Sequence, residues 1–434
     1  MPQISVPADQ VFPILRENIL VDGFHLVIDL EKSHGSIMVD ALDGKEYLDC
    51  YSYFASLPVG HNHPKMCDEA FRQSLMVAAL SNPSNSDVYS REFAGFVATF
   101  RDIAVPAEFP YLFFVAGGSV AVANAMKAAF DWKAQRNRAQ GIPGGGDKIL
   151  HFREAFHGRT GYAVSVTNTE PLKVRDYPKF GWPRVSNPKI RFPLNEAAVA
   201  AAEAQSIAEI HAAFDRDPHG IAGILIEPIQ GEGGDNHFRP DFFRELRTIA
   251  DERDALLIFD EIQTGLGLTG SMWAYQQLGV APDILAFGKK TQVCGMMSTR
   301  RIDTVETNVF HVSSRINSTW GGNLVDMVRC ARYLQIIAED RLVENAAKVG
   351  GIFLEGLEEL QTEFPRVSNV RGRGLMLALD LPDGDIRESI RRRCWDEGLA
   401  VLVCGPRSIR FRPSLTFSED DAARALYLLR RSLA

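Results

Sequence analysis

Asp260 and Lys289 are the first residues in this sequence that could do chemistry together. The run ALLIFDEIQTG (255–265) is apolar until Asp260 and Glu261. The run DILAFGKK (283–290) is apolar until Gly288 and Lys289. Each reads as a buried strand that delivers a polar group at its C-terminal end, with room for one crossover between them. Open α/β sheets bind ligands at that edge. A lysine amine there can bond to a carbonyl, and a buried carboxylate can keep a pyridine-type nitrogen protonated. Taken singly, each run has a plainer reading: a strand with a helix-capping Asp, or an exposed lysine pair on a turn. A magnesium-handling Asp would need a phosphate loop, GxxxxGK[ST]. The nearest candidate runs from Gly141 to Gly146, and Asp147 stands where the Lys must be. The ATPase reading therefore fails.

Two further stretches add to the pair. In FFVAGGSVAVANAMKAAFDW (113–132) a strand runs into Gly117-Gly118-Ser119 and then a long helical pattern. Glycines let the backbone approach a ligand closely, and a helix start suits a phosphate. In EAFHGRTGY (154–162), Phe156 could stack on a flat ring and Arg159 could hold a carboxylate bidentately. A capped turn, a core Phe and a surface Arg remain the plainer readings of these stretches. Together with the Asp–Lys pair they point to pyridoxal 5′-phosphate. GHNHP (60–64) has an HxH spacing, but no further ligand cluster accompanies it, and a structural turn is expected.

The elements that must position these residues alternate between strand and helix, which predicts an α/β fold with a mainly parallel sheet. Expected strands are 111–115, 148–152, 221–227, 255–260 and 284–287. A helix is expected over 240–254, with Phe242, Phe243, Leu246, Ile249 and Ala250 on one face. The texture changes after about residue 325. A long helical pattern runs to about Glu363, followed by short strands, a charged helix and a final helix. This suggests a large domain over 61–325 and a smaller α+β domain over 326–434. Residues 1–60 are expected to pack with the smaller one.

Length and composition exclude several classes. The 434 residues suffice for a sizeable core. A formal net charge of −8 argues against a general nucleic-acid or anionic-membrane binder. The six cysteines are scattered, without CxxC, so a reducing cytoplasm is expected. The N-terminus lacks the pattern of a signal peptide.

The four motifs stand in one order that resembles the class III (ω-amino) aminotransferases, pyridoxal-phosphate enzymes of fold type I. GKEYLDCYSYFASLPVGHNHP, IEPIQGEGG (226–234), NSTWGGN (317–323), RGRGLM and IRFRPSL extend the likeness over most of the chain. VDGFHLVIDLEKSHGS, FGKKTQVCG and SRINSTWGGN resemble the branch that acts on the ε-amino group of L-lysine. The resemblance implies a large domain with a seven-stranded-type sheet and a ping-pong exchange with 2-oxoglutarate. Products would be L-glutamate and 2-aminoadipate 6-semialdehyde, which cyclises. It implies Lys289 as the covalent anchor of the cofactor, Asp260 on the pyridinium nitrogen and Gln263 on the ring hydroxyl. Phe156 would stack, and Gly118 and Ser119 would hold the phosphate. Thr319 would reach the cofactor of a neighbouring subunit in a homodimer. Arg159 would bind the donor carboxylate and Arg410 that of 2-oxoglutarate, with Glu232 closing on Arg410 between the two. Gln263 would also line the substrate site. Val120 stands where the family often has an acid, and Lys290-Thr291-Gln292 replaces a Gly-rich run. Alternatives are an aminotransferase for ornithine or 4-aminobutyrate, or a non-catalytic interaction protein on the same fold.

Overall fold

The computed structural model describes residues 5–434. Its strands are β1 (Ile37–Val39), β2 (Glu46–Asp49), β3 (Tyr111–Val115), β4 (Lys148–Phe152), β5 (Arg184–Val185), β6 (Ile221–Ile226) and β7 (Leu256–Asp260). They continue with β8 (Ile284–Phe287), β9 (Cys294–Ser298), β10 (Ser368–Arg373), β11 (Met376–Asp380), β12 (Leu399–Ala400), β13 (Leu402–Cys404) and β14 (Ser408–Phe411). The main sheet has seven strands in the order β3-β9-β8-β7-β6-β4-β5. Strands β4 to β8 pair in parallel, and β9 runs antiparallel to both β3 and β8.

Every residue of β6, β7 and β8 is buried. That explains their unbroken apolar runs, since strands covered on both faces cannot alternate. One cover is the helix Gly118–Ala139, which packs over β6, β7, β8 and β9. The other side is covered in part by the helix Pro240–Glu252. It turns Phe242, Phe243, Leu246, Ile249 and Ala250 inward, with Pro240 in its first turn. Strands β7 and β8 are neighbours, with Asp260 opposite Ala286. Their C-terminal ends therefore lie side by side, and this adjacency brings Asp260 to Lys289.

A four-stranded antiparallel sheet, β10-β11-β14-β13, carries Arg410 on β14. In a third sheet, β2 from the first fifty residues pairs in parallel with β12. The sequence does not announce β9 or the two-residue β5. The long helical pattern ending at Glu363 is two helices, Leu324–Glu339 and Leu342–Glu363. Arg341 between them has φ +52°, which no right-handed helix accommodates. After Asp260 the chain forms consecutive turns, so Gln263 sits on a turn and not on a helix. All six cysteines are free. Among the described residues no helix is long and apolar enough to cross a membrane.

Candidate active site

A cavity of about 450 Å³ opens at the ends of β7 and β8. Its lining includes Gly118, Ser119, Phe156, Glu232, Asp260, Gln263 and Lys289. Residues from well-separated stretches of sequence meet there. Lys290 is not in the lining. Its amine is buried without a hydrogen-bond partner, so position alone selects Lys289 of the two. Lys289 sits at φ +54°, a left-handed conformation that is uncommon for a lysine. Gln292 donates through Nε2 to the Lys289 carbonyl (3.1 Å) and to the Ser56 carbonyl (2.8 Å), and so pins this turn.

Burial first, and then the charges of Arg410 and Arg412, lower the Lys289 amine to about 8, against the opposing pull of Asp260 and Glu232. A lysine at its ordinary value would be almost wholly protonated at neutral pH. Asp260 is buried, and its Oδ2 lies 2.8 Å from His157 Nδ1. Its Oδ1 accepts from the Ile262 N–H at 3.1 Å. Behind His157 stands Glu227, which accepts from the backbone N–H groups of Phe156 (2.9 Å) and Gly231 (3.1 Å). Burial raises the Glu227 carboxyl to about 7, with His157 opposing the shift and the Asp260 charge adding to it. Sequence reasoning assigns no role to His157 or Glu227, although both lie within the motifs. A histidine and a glutamate there carry no separate signal, because only the fold shows that they back Asp260.

The fit to a flat, phosphorylated cofactor can be tested on the backbone. Gly117 has φ +96°, a conformation essentially reserved for glycine. It caps the helix that starts at Gly118. Ser119 is therefore inside the first turn and not the cap, and its Oγ lies 2.8 Å from Thr160 Oγ1. A Cβ on Gly158 would stand 2.4 Å from Ser119 Oγ, so the loop can press onto the helix start only as glycine. A Cβ on Gly231 would stand 2.2 Å from Gln263 Oε1. That oxygen already accepts from Arg412 Nε at 3.3 Å, which leaves the Gln263 amide N–H groups free to donate. A basic amine, a buried acid and a glycine-lined anion end thus surround one slot beside Phe156. These residues fit pyridoxal 5′-phosphate.

A second cavity, about 680 Å³, adjoins the first and shares Glu232 with it. Arg159, Lys173, Arg410, Tyr51, Phe54 and Trp395 are among its lining. Arg410 is 2% exposed. It donates through Nη2 to Glu232 Oε2 at 2.7 Å, while its Nε and Nη1 have no partner. A buried guanidinium with unpaired N–H groups is suited to an incoming carboxylate. Arg159 is exposed, with its guanidinium carbon 6.0 Å from the Phe156 ring centre. Thr319 is exposed and lies outside both linings. His61 of the HxH pair bonds Asp49 at 2.9 Å.

Known proteins share this arrangement. The family model for aminotransferase class-III matches residues 21–433. An L-lysine-epsilon aminotransferase of Mycobacterium bovis is 52% identical over 98% of this chain and 95% of its own length. That of Streptomyces clavuligerus is 48% identical over 99% and 95%. A solved structure, lysine aminotransferase from M. tuberculosis in the internal aldimine form, superposes with a TM-score of 0.97. It is 51% identical and covers 99% of both chains. With the family model spanning nearly the whole chain, the protein belongs to the class-III aminotransferases.

Proposed function

We propose that the protein is a pyridoxal-phosphate-dependent L-lysine 6-aminotransferase. It moves the ε-amino group of L-lysine to 2-oxoglutarate, giving L-glutamate and 2-aminoadipate 6-semialdehyde. The observation that carries this reading is the pairing of one amine–acid slot with two arginine sites, Arg159 and Arg410, of which only Arg410 is closed by a glutamate.

Bound pyridoxal phosphate supplies an aldehyde for the amine and a ring that accepts electron density. Lys289 would hold it through Nζ, Gly118 and Ser119 at the phosphate, Phe156 on the ring face and Gln263 at the ring hydroxyl. Asp260, oriented by His157, would keep a proton on the ring nitrogen. Lys289 Nζ, freed when the substrate amine displaces it from the cofactor, would take the proton from the carbon that bears the reacting amine, a task suited to a base near 8. Arg159 holds the α-carboxylate of lysine at the far end of the substrate. Glu232 meanwhile covers Arg410, so that a lysine carboxylate finds no second cation close to Lys289. For 2-oxoglutarate, Glu232 yields and Arg410 binds the α-carboxylate beside the reacting carbon. The need for two carboxylate positions explains why one arginine is permanently open and the other gated. Thr319 and a homodimer complete the reading, as does a reducing compartment for the six free cysteines.

The test is spectroscopic. Purified protein mixed with L-lysine and no acceptor should lose its near-visible cofactor band, and 2-oxoglutarate should restore it. Ornithine or 4-aminobutyrate bleaching faster than lysine would overturn the donor assignment. Protein that stays colourless after cofactor addition would overturn the class of reaction.

A further inference from the structure

Lys173 has no distinguishing mark in the sequence, yet it lines the second cavity and bonds Glu232, which both cavities share. It lies on the one-turn helix Pro171–Val174. The loop leading there is anchored by Asn168, which accepts from the Glu154 N–H at 2.6 Å and donates to the Phe152 carbonyl at 3.0 Å. Lys173 is largely buried, with a side chain 12% exposed. Its Nζ donates to Glu232 Oε1 at 2.5 Å, and to Glu170 Oε1 at 3.1 Å. Glu232 thus spans two cations. Oε1 is held by Lys173 and Oε2 by Arg410.

This geometry matters for a carboxylate that must let go. Releasing Arg410 to a substrate would leave the largely buried Glu232 charge without a partner, and an unpaired charge is expensive there. With Lys173 on the other oxygen, Glu232 can turn off Arg410 and stay paired. We infer that Lys173 is the second anchor of Glu232, a positioning residue that stabilises the open state of the gate and so sets the ease with which the site accepts a dicarboxylate. Glu170, half exposed, accepts from Lys173 at the same time, so Lys173 is shared between Glu170 and Glu232 while Glu232 is also on Arg410. The inference rests on the gate reading of Glu232 given above.

The test compares steady-state constants for both substrates in the holoenzyme and in Lys173→Met, Lys173→Arg, Glu232→Ala and the Lys173→Met/Glu232→Ala pair. Losing one charge-assisted hydrogen bond in the open state should raise KM for 2-oxoglutarate about tenfold. KM for lysine should move far less. Lys173→Arg should restore most of the loss, since it keeps the charge. In the Glu232→Ala background, Lys173→Met should add nothing. Equal effects on both substrates, or the same tenfold loss without Glu232, would mean that Lys173 contacts substrate or only supports the fold, and would overturn the inference. If Glu232→Ala shifts selectivity but Lys173→Met does not, the inference alone falls. If Glu232→Ala changes neither constant, the gate reading falls with it.

Discussion

The floor of the site and its entrance are built in opposite ways. At the floor, Asp260, His157 and Glu227 are all buried, with Asp260 held by His157 Nδ1 and Glu227 by two backbone N–H groups. At the entrance, Arg159 is exposed, Lys173 sits on a one-turn helix, and Glu232 divides itself between two cations. The difference teaches where precision is needed. Proton transfer and ring electronics demand fixed distances and low dielectric, which packing supplies. Alternating between two carboxylate substrates demands an ion pair that can exchange partners, which Glu232 between Lys173 and Arg410 provides.

Substitutions can break this contrast, and the floor should give the largest effects. Lys289→Ala removes the base, and transamination should fall by about 10³-fold or more. Glutamate formation from lysine and 2-oxoglutarate reads it directly. Retained activity would mean that another amine, such as Lys290, does the work. Asp260→Asn keeps the shape but removes the charge, for a loss on the order of 10²-fold in kcat. A loss confined to KM would place Asp260 outside the chemical step. At the entrance, Arg159→Ala should raise KM for lysine about tenfold with kcat nearly held. An equal fall in kcat would show that Arg159 belongs energetically with the floor.

Two weaker effects sharpen the picture. Because burial lowers the Lys289 amine to about 8, its free-base fraction in the cofactor-free protein should grow as pH rises through about 8. Exposed lysines should follow only near 10. Labelling with an amine reagent across pH, read by mass spectrometry, checks this. A Lys289 midpoint near 10 would remove the electrostatic basis for its role. Lys290→Met replaces a buried, partnerless amine by an apolar chain, and should stabilise the protein by about 1 kcal/mol in denaturant unfolding. Destabilisation would reveal a partner for that amine.

Much of the floor is legible in the amino-acid sequence. The buried strands ending at Asp260 and Lys289 are unbroken apolar runs, and such runs announce themselves. The entrance is legible only in part. Arg159, Arg410 and Glu232 acquire their roles through family resemblance. Lys173 carries no mark, since a lysine in a polar loop looks like any other. His157 is visible as a letter and not as the partner of Asp260.

The sequence by itself determined the class of strand, the glycine-dependent turn at Gly117 and the pairing of a lysine with an acid, because each depends on local burial or local backbone conformation. Only the tertiary structure decided which lysine faces the cavity, that β9 closes the sheet in the antiparallel sense, and that Glu232 touches two cations at once. These depend on contacts between segments far apart in the chain. The Lys173–Glu232–Arg410 cluster joins three such segments, and no spacing along the sequence encodes their meeting.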